Sequence, residues 1–115
     1  MAKESGFDDS ASLGKPELNE IIWQVVASIP KGKIATYGQI ARIAGFPNHA
    51  RYVGSTLKKL PKDTSLPWHR VVNGQGKISF PVDSSAYKKQ KDLLEKEGAL
   101  FIRGKFSLAN NGWNL

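Results

Sequence analysis

Two histidines, His49 and His69, are the only imidazoles in this chain of 115 residues, and it contains no cysteine. Disulfides, thiolate metal sites and thiol catalysis are thereby removed together. Two histidines with no acidic cluster at ligand spacing are too few for a metal centre. No Gly-x-Ser-x-Gly elbow and no phosphate loop occurs, so neither acyl transfer nor nucleotide hydrolysis has a signal. What remains for chemistry stands together in Pro67-Trp68-His69-Arg70-Val71-Val72, followed by Asn73-Gly74-Gln75-Gly76 and Lys77-Ile78-Ser79. Trp68 cannot serve as a nucleophile, because its indole N–H only donates and its ring carbon is unreactive at neutral pH. It is either core or the wall of a pocket, where stacking on a nucleobase is worth about 1 to 3 kcal/mol. His69, with Glu97 as acid partner, admits a hydrolytic reading and a structural one, in which the imidazole holds the motif by hydrogen bonds.

The elements that must position this motif follow from local signals. The motif itself reads as a strand over 68–72, a Gly turn and a return strand at Lys77-Ile78. Upstream, Pro16 and Glu17 open an amphipathic helix whose apolar residues Leu18, Ile21, Ile22, Val25, Val26 and Ile29 recur at helical spacing up to Pro30, with Trp23 beside the stripe as partial core. Lys31-Gly32-Lys33 is a turn, Ile34-Ala35 a link, and Thr36 an N-cap for a short helix over 37–44 that stops at Gly45. Asn48 is the expected N-cap of a further helix over 49–60, which makes the pair a helix-turn-helix. In that second helix Ala50, Val53, Leu57 and Leu60 should face the core, and Arg51, Gly54, Ser55 and Lys58 should face outward. Gly54 costs about 1 kcal/mol of helix propensity against Ala, so something bulky approaches the backbone there, either a ligand or a packed neighbour. After a loop over 80–83, Ser84 or Ser85 caps a helix over 86–97 that stops at Gly98. Residues 99–102 and 106–108 then flank Arg103-Gly104-Lys105 as a hairpin.

The expected fold is mostly α with short strands, a winged-helix-like DNA-binding domain over residues 16–109. It lies between a flexible N-terminal tail, residues 1–15, and a C-terminal tail, residues 110–115, in which Trp113 docks. Charge placement points to the partner. Between Ile21 and Val82 the sole acid is Asp63, against nine basic residues. A stretch so poor in carboxylates suits a polyanion, since each neutralised phosphate releases counterions, although an ordinary basic surface would look the same. With no signal peptide and no apolar run of membrane length, a soluble cytoplasmic protein without membrane contacts is expected.

The motif resembles that of the O6-alkylguanine-DNA alkyltransferases, Pro-Cys-His-Arg-Val, with Trp68 where the nucleophilic cysteine would stand. The likeness runs in ordered blocks through Lys31-Gly32-Lys33, Thr36-Tyr37-Gly38, Ala50-Arg51, Val53-Gly54, Pro67 to Val72 and Glu97-Gly98, and it is specific to the alkyltransferase-like branch that lacks the thiol. It implies the fold of the transferases' C-terminal domain and a protein that is not an enzyme, since the accepting thiolate has no counterpart. A second departure agrees: the asparagine that the transferases place before a proline, in the relay around the thiol, is Leu60 here.

The resemblance further implies minor-groove docking. Tyr37 would press on the phosphate beside the target, and Arg51 would enter the duplex to fill the vacated stack. Thr36, Gly54, Ser55, Lys58 and Arg70 would complete the DNA contacts. The lesion pocket would consist of Tyr37, Trp68, His69, Val71, Ser79 and Pro81, with the carbonyls of Trp68 and Val71 accepting from the guanine amine. His69 and Glu97 would persist as a structural relay. The implied function is a DNA damage sensor that flips an O6-alkylguanine into a Trp-lined pocket, needs neither cofactor nor metal, and acts as a monomer. It would mark the lesion for nucleotide excision repair proteins while blocking alkyltransferases. The rival is a general winged-helix DNA-binding regulator, indifferent to alkylation.

Overall fold

The computed structural model describes residues 16–114; the tail expected over residues 1–15 lies outside them. Helix α1 (Pro16–Ala27) buries Leu18, Ile22 and Val26, a narrower stripe than expected, for Ile21 is exposed. It ends before Pro30 because the chain tightens into three-residue bonds, Ser28 N–H to the Val25 carbonyl and Ile29 N–H to the Val26 carbonyl. Strand β1 (Ala35–Thr36) leads straight into α2 (Tyr37–Ile43). Thr36 forms a full capping box: its hydroxyl accepts from Gln39 N–H at 3.1 Å, and its own N–H donates to the Gln39 side chain.

Helix α3 (Ala50–Lys58) starts one residue later than expected. Asn48 is not its cap: the turn closes through His49 N–H to the Phe46 carbonyl, which puts His49 at the cap position with no side-chain bond. The core side of α3 also differs. Val53 and Thr56 are buried, and Leu57 is half-buried. Thr56 falls outside the apolar period because it is buried by polar satisfaction: its hydroxyl and that of Tyr52 both donate to the Asn19 side-chain carbonyl, pinning α3 on α1.

The expected strand over 68–72 shrinks to β2 (Val71–Val72), preceded by one 3-10 turn over Trp68–Arg70. Pro67 accepts from Arg70 N–H at 3.0 Å, which starts this turn, and β2 pairs in parallel with β1, Ala35 opposite Val71 and Thr36 opposite Val72. Successive strand residues point to opposite faces, so Val71 enters a core with α1, α2 and α3, while Val72 enters a second core with Ile34, Ile78, Leu94 and Phe106. Lys77-Ile78 is not a strand. Asn73 organises the turn instead, its side-chain oxygen accepting from Gln75 and Lys77 N–H groups. Gly76, at φ +82°, passes against the Phe106 backbone, where any side chain would collide with the Phe106 carbonyl.

Helix α4 (Ser85–Lys96) is capped by the Ser84 hydroxyl, which accepts from Tyr87 N–H at 3.2 Å. Strands β3 (Phe101–Ile102) and β4 (Lys105–Phe106) form the expected hairpin around Arg103 and Gly104, both at positive φ. Leu108 leaves the hairpin: Ser107 caps a short α5 (Leu108–Asn111). Residues 110–114, expected as a tail, are bound to the start of the helix-turn-helix. The Ile34 N–H donates to the Asn111 carbonyl, Trp113 N–H to the Ile34 carbonyl, and the Gln39 side chain to the Trp113 carbonyl, each at 2.8 Å.

Candidate nucleic-acid and base-binding site

Trp68 stands half-buried on the 3-10 turn, at the wall of a hollow of about 460 Å³, a volume within the range of small-molecule pockets, roughly 300 to 1,000 Å³. Leu57, Leu60, Pro61 and Phe80 supply its other apolar surfaces. The Phe80 ring meets the indole edge-on, with centroids 6.2 Å apart at 88°, and Lys58 Nζ lies 5.7 Å from the Phe80 centroid at the mouth. A second, more polar hollow of about 430 Å³ also borders the indole, lined by Thr64, Ser65, His69 and Arg70 among others.

The structure therefore brings Trp68 to the hollow and does not bring all of its expected companions. Val71 is buried in the core, and its carbonyl accepts from the Gln90 side chain at 2.9 Å. The Trp68 carbonyl accepts from Val71 N–H within the 3-10 turn. Both carbonyls expected to receive a guanine amine are thus engaged by the protein itself. Ser79 and Pro81 are exposed beside Phe80 and do not line the hollow, and neither does Tyr37. The loop over 79–82, which the resemblance sets over the alkyl group, meets the hollow through Phe80 alone; an aromatic in a Pro-containing loop carries no periodic signal that would single it out. Leu60 was legible as a departure from the transferase relay, but its place on the wall was not.

Beneath Trp68, Glu97 collects three hydrogen bonds. Arg70 donates Nε at 2.9 Å and a terminal nitrogen at 2.7 Å, a forked contact, and His69 Nε2 lies 3.0 Å from the same carboxylate. The remaining Arg70 nitrogen donates to the Ile29 carbonyl at 2.8 Å. Burial alone would raise the Glu97 pKa; the hydrogen bonds and charges of Arg70 and His69 outweigh it and hold the carboxyl down at about 2. Arg70, expected on DNA, is thus committed to the fold, and the His69–Glu97 pair expected from the sequence is joined by a third member. Gln90 adds a brace by donating to the His69 carbonyl at 3.1 Å.

The other expected DNA contacts gather on the helix-turn-helix. Arg51, Ser55 and Lys58 are exposed along one side of α3, and Thr36 and Tyr37 sit at the start of α2. The Tyr37 ring faces Gly54: a methyl group added there would lie 3.7 Å from the ring, ordinary contact. Packing within the protein therefore does not demand glycine at this position. The parallel ladder of β1 and β2 fixes Thr36, and hence Tyr37, relative to the turn that carries Trp68.

A family model described as 6-O-methylguanine DNA methyltransferase, DNA binding domain, matches residues 17–99. The chain belongs to this family. Among its relatives, a DNA base-flipping protein of Escherichia coli is 44% identical over 94 residues, 81% of this chain and 71% of that protein. Alkyltransferase-like protein 1 of Schizosaccharomyces pombe is 48% identical over 77 residues, 67% of this chain and 71% of that protein. The crystal structure of S. pombe Atl1 in complex with damaged DNA containing O6-carboxymethylguanine superposes with a TM-score of 0.81 at 38% identity, covering 90% of this chain and all of that one. The mostly helical fold with short strands expected from the sequence is the fold of this methyltransferase DNA-binding domain. This member of the family contains no cysteine and carries an indole, Trp68, beside the histidine, arginine and glutamate of the network.

Proposed function

We propose that this protein is a non-enzymatic sensor of alkylated DNA: it docks in the minor groove, turns an O6-alkylguanine out of the stack, and holds the base beside Trp68 without removing the alkyl group. The observation that carries this reading is an indole at the wall of a 460 Å³ hollow, above an intact His69–Glu97–Arg70 network, in a chain with no cysteine to accept an alkyl group. The names and ligand of the relatives, a base-flipping protein and Atl1 on damaged DNA, support it.

Extruding a base costs a few kcal/mol, so both a wedge and a receiving surface are needed. Arg51 on exposed α3 is the wedge, its planar guanidinium suited to stacking in the gap, and Tyr37 bears on the neighbouring phosphate. The indole and the Phe80 ring receive the base and its alkyl group. Leu60 continues the apolar surface where the transferases hold a polar relay residue, so nothing in the hollow activates a nucleophile. A protein that only binds must act through others. The occupied lesion is shielded from true alkyltransferases, and the protein–DNA complex is the mark that nucleotide excision repair proteins receive.

The test is binding to paired duplexes, identical except for one O6-methylguanine, at a stated salt concentration, with the modified base quantified by mass spectrometry after incubation. Tighter binding to the modified duplex with the methyl group intact is expected. Equal binding to both would leave a general DNA-binding regulator, and loss of the methyl group would mean an enzyme.

A further inference from the structure

The two hollows at Trp68 share four residues: Trp68 itself, Thr64, Lys62 and Lys89. The indole and the two lysines thus border both hollows. Beyond the shared residues, Leu57, Leu60 and Phe80 give the first hollow an apolar surface, and Ser65, His69 and Arg70 give the second a more polar one. Among the described residues, no aspartate or glutamate lines either hollow. Among the described residues, no carboxylate lies within ion-pairing distance of Lys62 or Lys89, although exposed Asp63 adjoins Lys62 in the chain and exposed Asp92 follows Lys89 on α4. The first turn of α4, a helix of 12 residues, contributes Ser85 and Ala86 to the apolar hollow, and so brings the positive end of its dipole to the same place.

We propose that Lys62 and Lys89 make the pocket selective for O6-substituents that end in an acid, such as carboxymethyl, over neutral substituents of the same shape. The inference rests on the reading that the hollow beside Trp68 receives the base, and it deepens that reading by naming the lesion class. An alkyl group on the guanine oxygen lies against the apolar wall, and a terminal carboxylate reaches past the edge of the indole towards the two ammonium groups. Ammonium groups on four-carbon stems reach a carboxylate from several directions and need no fixed fork. Both lysines are exposed, so the effect is modest and screened by salt. Acceptance of an acidic lesion by a relative is a separate matter from preference for the acid and from the residues that cause it.

The experiment compares four duplexes by competition binding, with the central base guanine, O6-methylguanine, O6-carboxymethylguanine or O6-carbamoylmethylguanine. The last is the neutral isostere of the acid. The wild-type protein is expected to bind the acid about fivefold more tightly than the amide at low salt, with the ratio shrinking as salt rises. In the double variant Lys62→Gln, Lys89→Gln the ratio should fall to about one. Using a ratio within one protein cancels the phosphate contacts that either lysine also makes. Equal binding of acid and amide by the wild-type protein, with both tighter than guanine, overturns the inference and leaves the sensor reading standing. A preference for the acid that survives in the double variant overturns the assignment to these lysines. Binding of all four duplexes alike overturns the sensor reading itself, and the inference with it.

Discussion

Replacing Glu97 with glutamine is expected to destabilise the protein by roughly 3 kcal/mol at pH 7. The magnitude comes from the carboxyl group itself, held at about 2 against an ordinary 4.5, where each pKa unit corresponds to about 1.4 kcal/mol. The side chain of Glu97 is 12% exposed, so little of this is lost to solvent screening. Removing the charge also leaves the Arg70 guanidinium largely buried without its anion, a change of the kind that costs about 3 to 5 kcal/mol. The pH dependence has a definite sign. A carboxyl group whose folded value lies below its unfolded value binds fewer protons in the folded state, so its contribution is complete above about 4.5 and disappears as pH falls towards 2. Urea unfolding followed by tryptophan fluorescence, for wild type and Glu97→Gln at steps from pH 7 to pH 2, isolates this group from the other carboxylates by difference. The gap between the two proteins should stay constant down to about pH 4.5 and close below it. A gap under about 1 kcal/mol at pH 7, or one that does not narrow in that window, would refute the claim that this network anchors the pocket floor.

Gly54→Ala should raise the stability of the free protein by up to about 1 kcal/mol, since the added methyl group meets the Tyr37 ring in ordinary contact. It should nevertheless weaken DNA binding, and a variant improved in both would remove the reading of close groove approach. Trp68→Ala should lose lesion discrimination by about 1 to 3 kcal/mol while keeping most of its affinity for undamaged duplex, measured by fluorescence anisotropy with circular dichroism as a check on folding. Arg51→Ala should abolish the fluorescence rise of a 2-aminopurine placed at the target, whereas Lys58→Ala should chiefly reduce the slope of log affinity against log salt by about one phosphate contact. Trp68→Cys should show at most feeble alkyl transfer, because Leu60 replaces the polar relay residue. A rate typical of a true transferase would contradict that account.

The parts of this fold legible in the sequence are those decided by neighbours in the chain. The apolar period of α1, the Thr36 cap, the start of α4 at Ser84 and the Arg103-Gly104 turn each have their cause within a few residues, and the structure shows each of them. What was not legible has its cause elsewhere. Residues 68–72 look like one strand by composition, yet the turn at Pro67 takes 68–70 and only 71–72 join the ladder to residues 35–36. The resemblance gives Val71 to the pocket through its carbonyl; the strand alternation sends its side chain into the core, and Gln90, 19 positions later, donates to that carbonyl. Thr56 is buried through a hydrogen bond to Asn19, 37 positions earlier. At the site, the indole and its histidine–glutamate partners could be named from the motif. Phe80, Lys62 and Lys89 meet it only through packing, which a local pattern does not encode.

The short ladder at Ile34 has a consequence for how the protein comes off the ribosome. Both backbone groups of Ile34 are taken by the segment at Asn111 and Trp113, and the adjoining strand residues wait for Val71 and Val72. The contacts that lock the start of the DNA-binding helices are thus among the most distant in sequence, and distant contacts close slowly. During synthesis α1, α2 and α3 can form and associate early and the ladder to Val71 and Val72 can close next, but Ile34 and Gln39, which flank that ladder and Tyr37, are tied down only after the Trp113 segment has emerged. A nascent chain lacking that segment would carry basic helices able to hold a phosphate backbone loosely, without the firm hold on the start of α2 needed to tell one base from another.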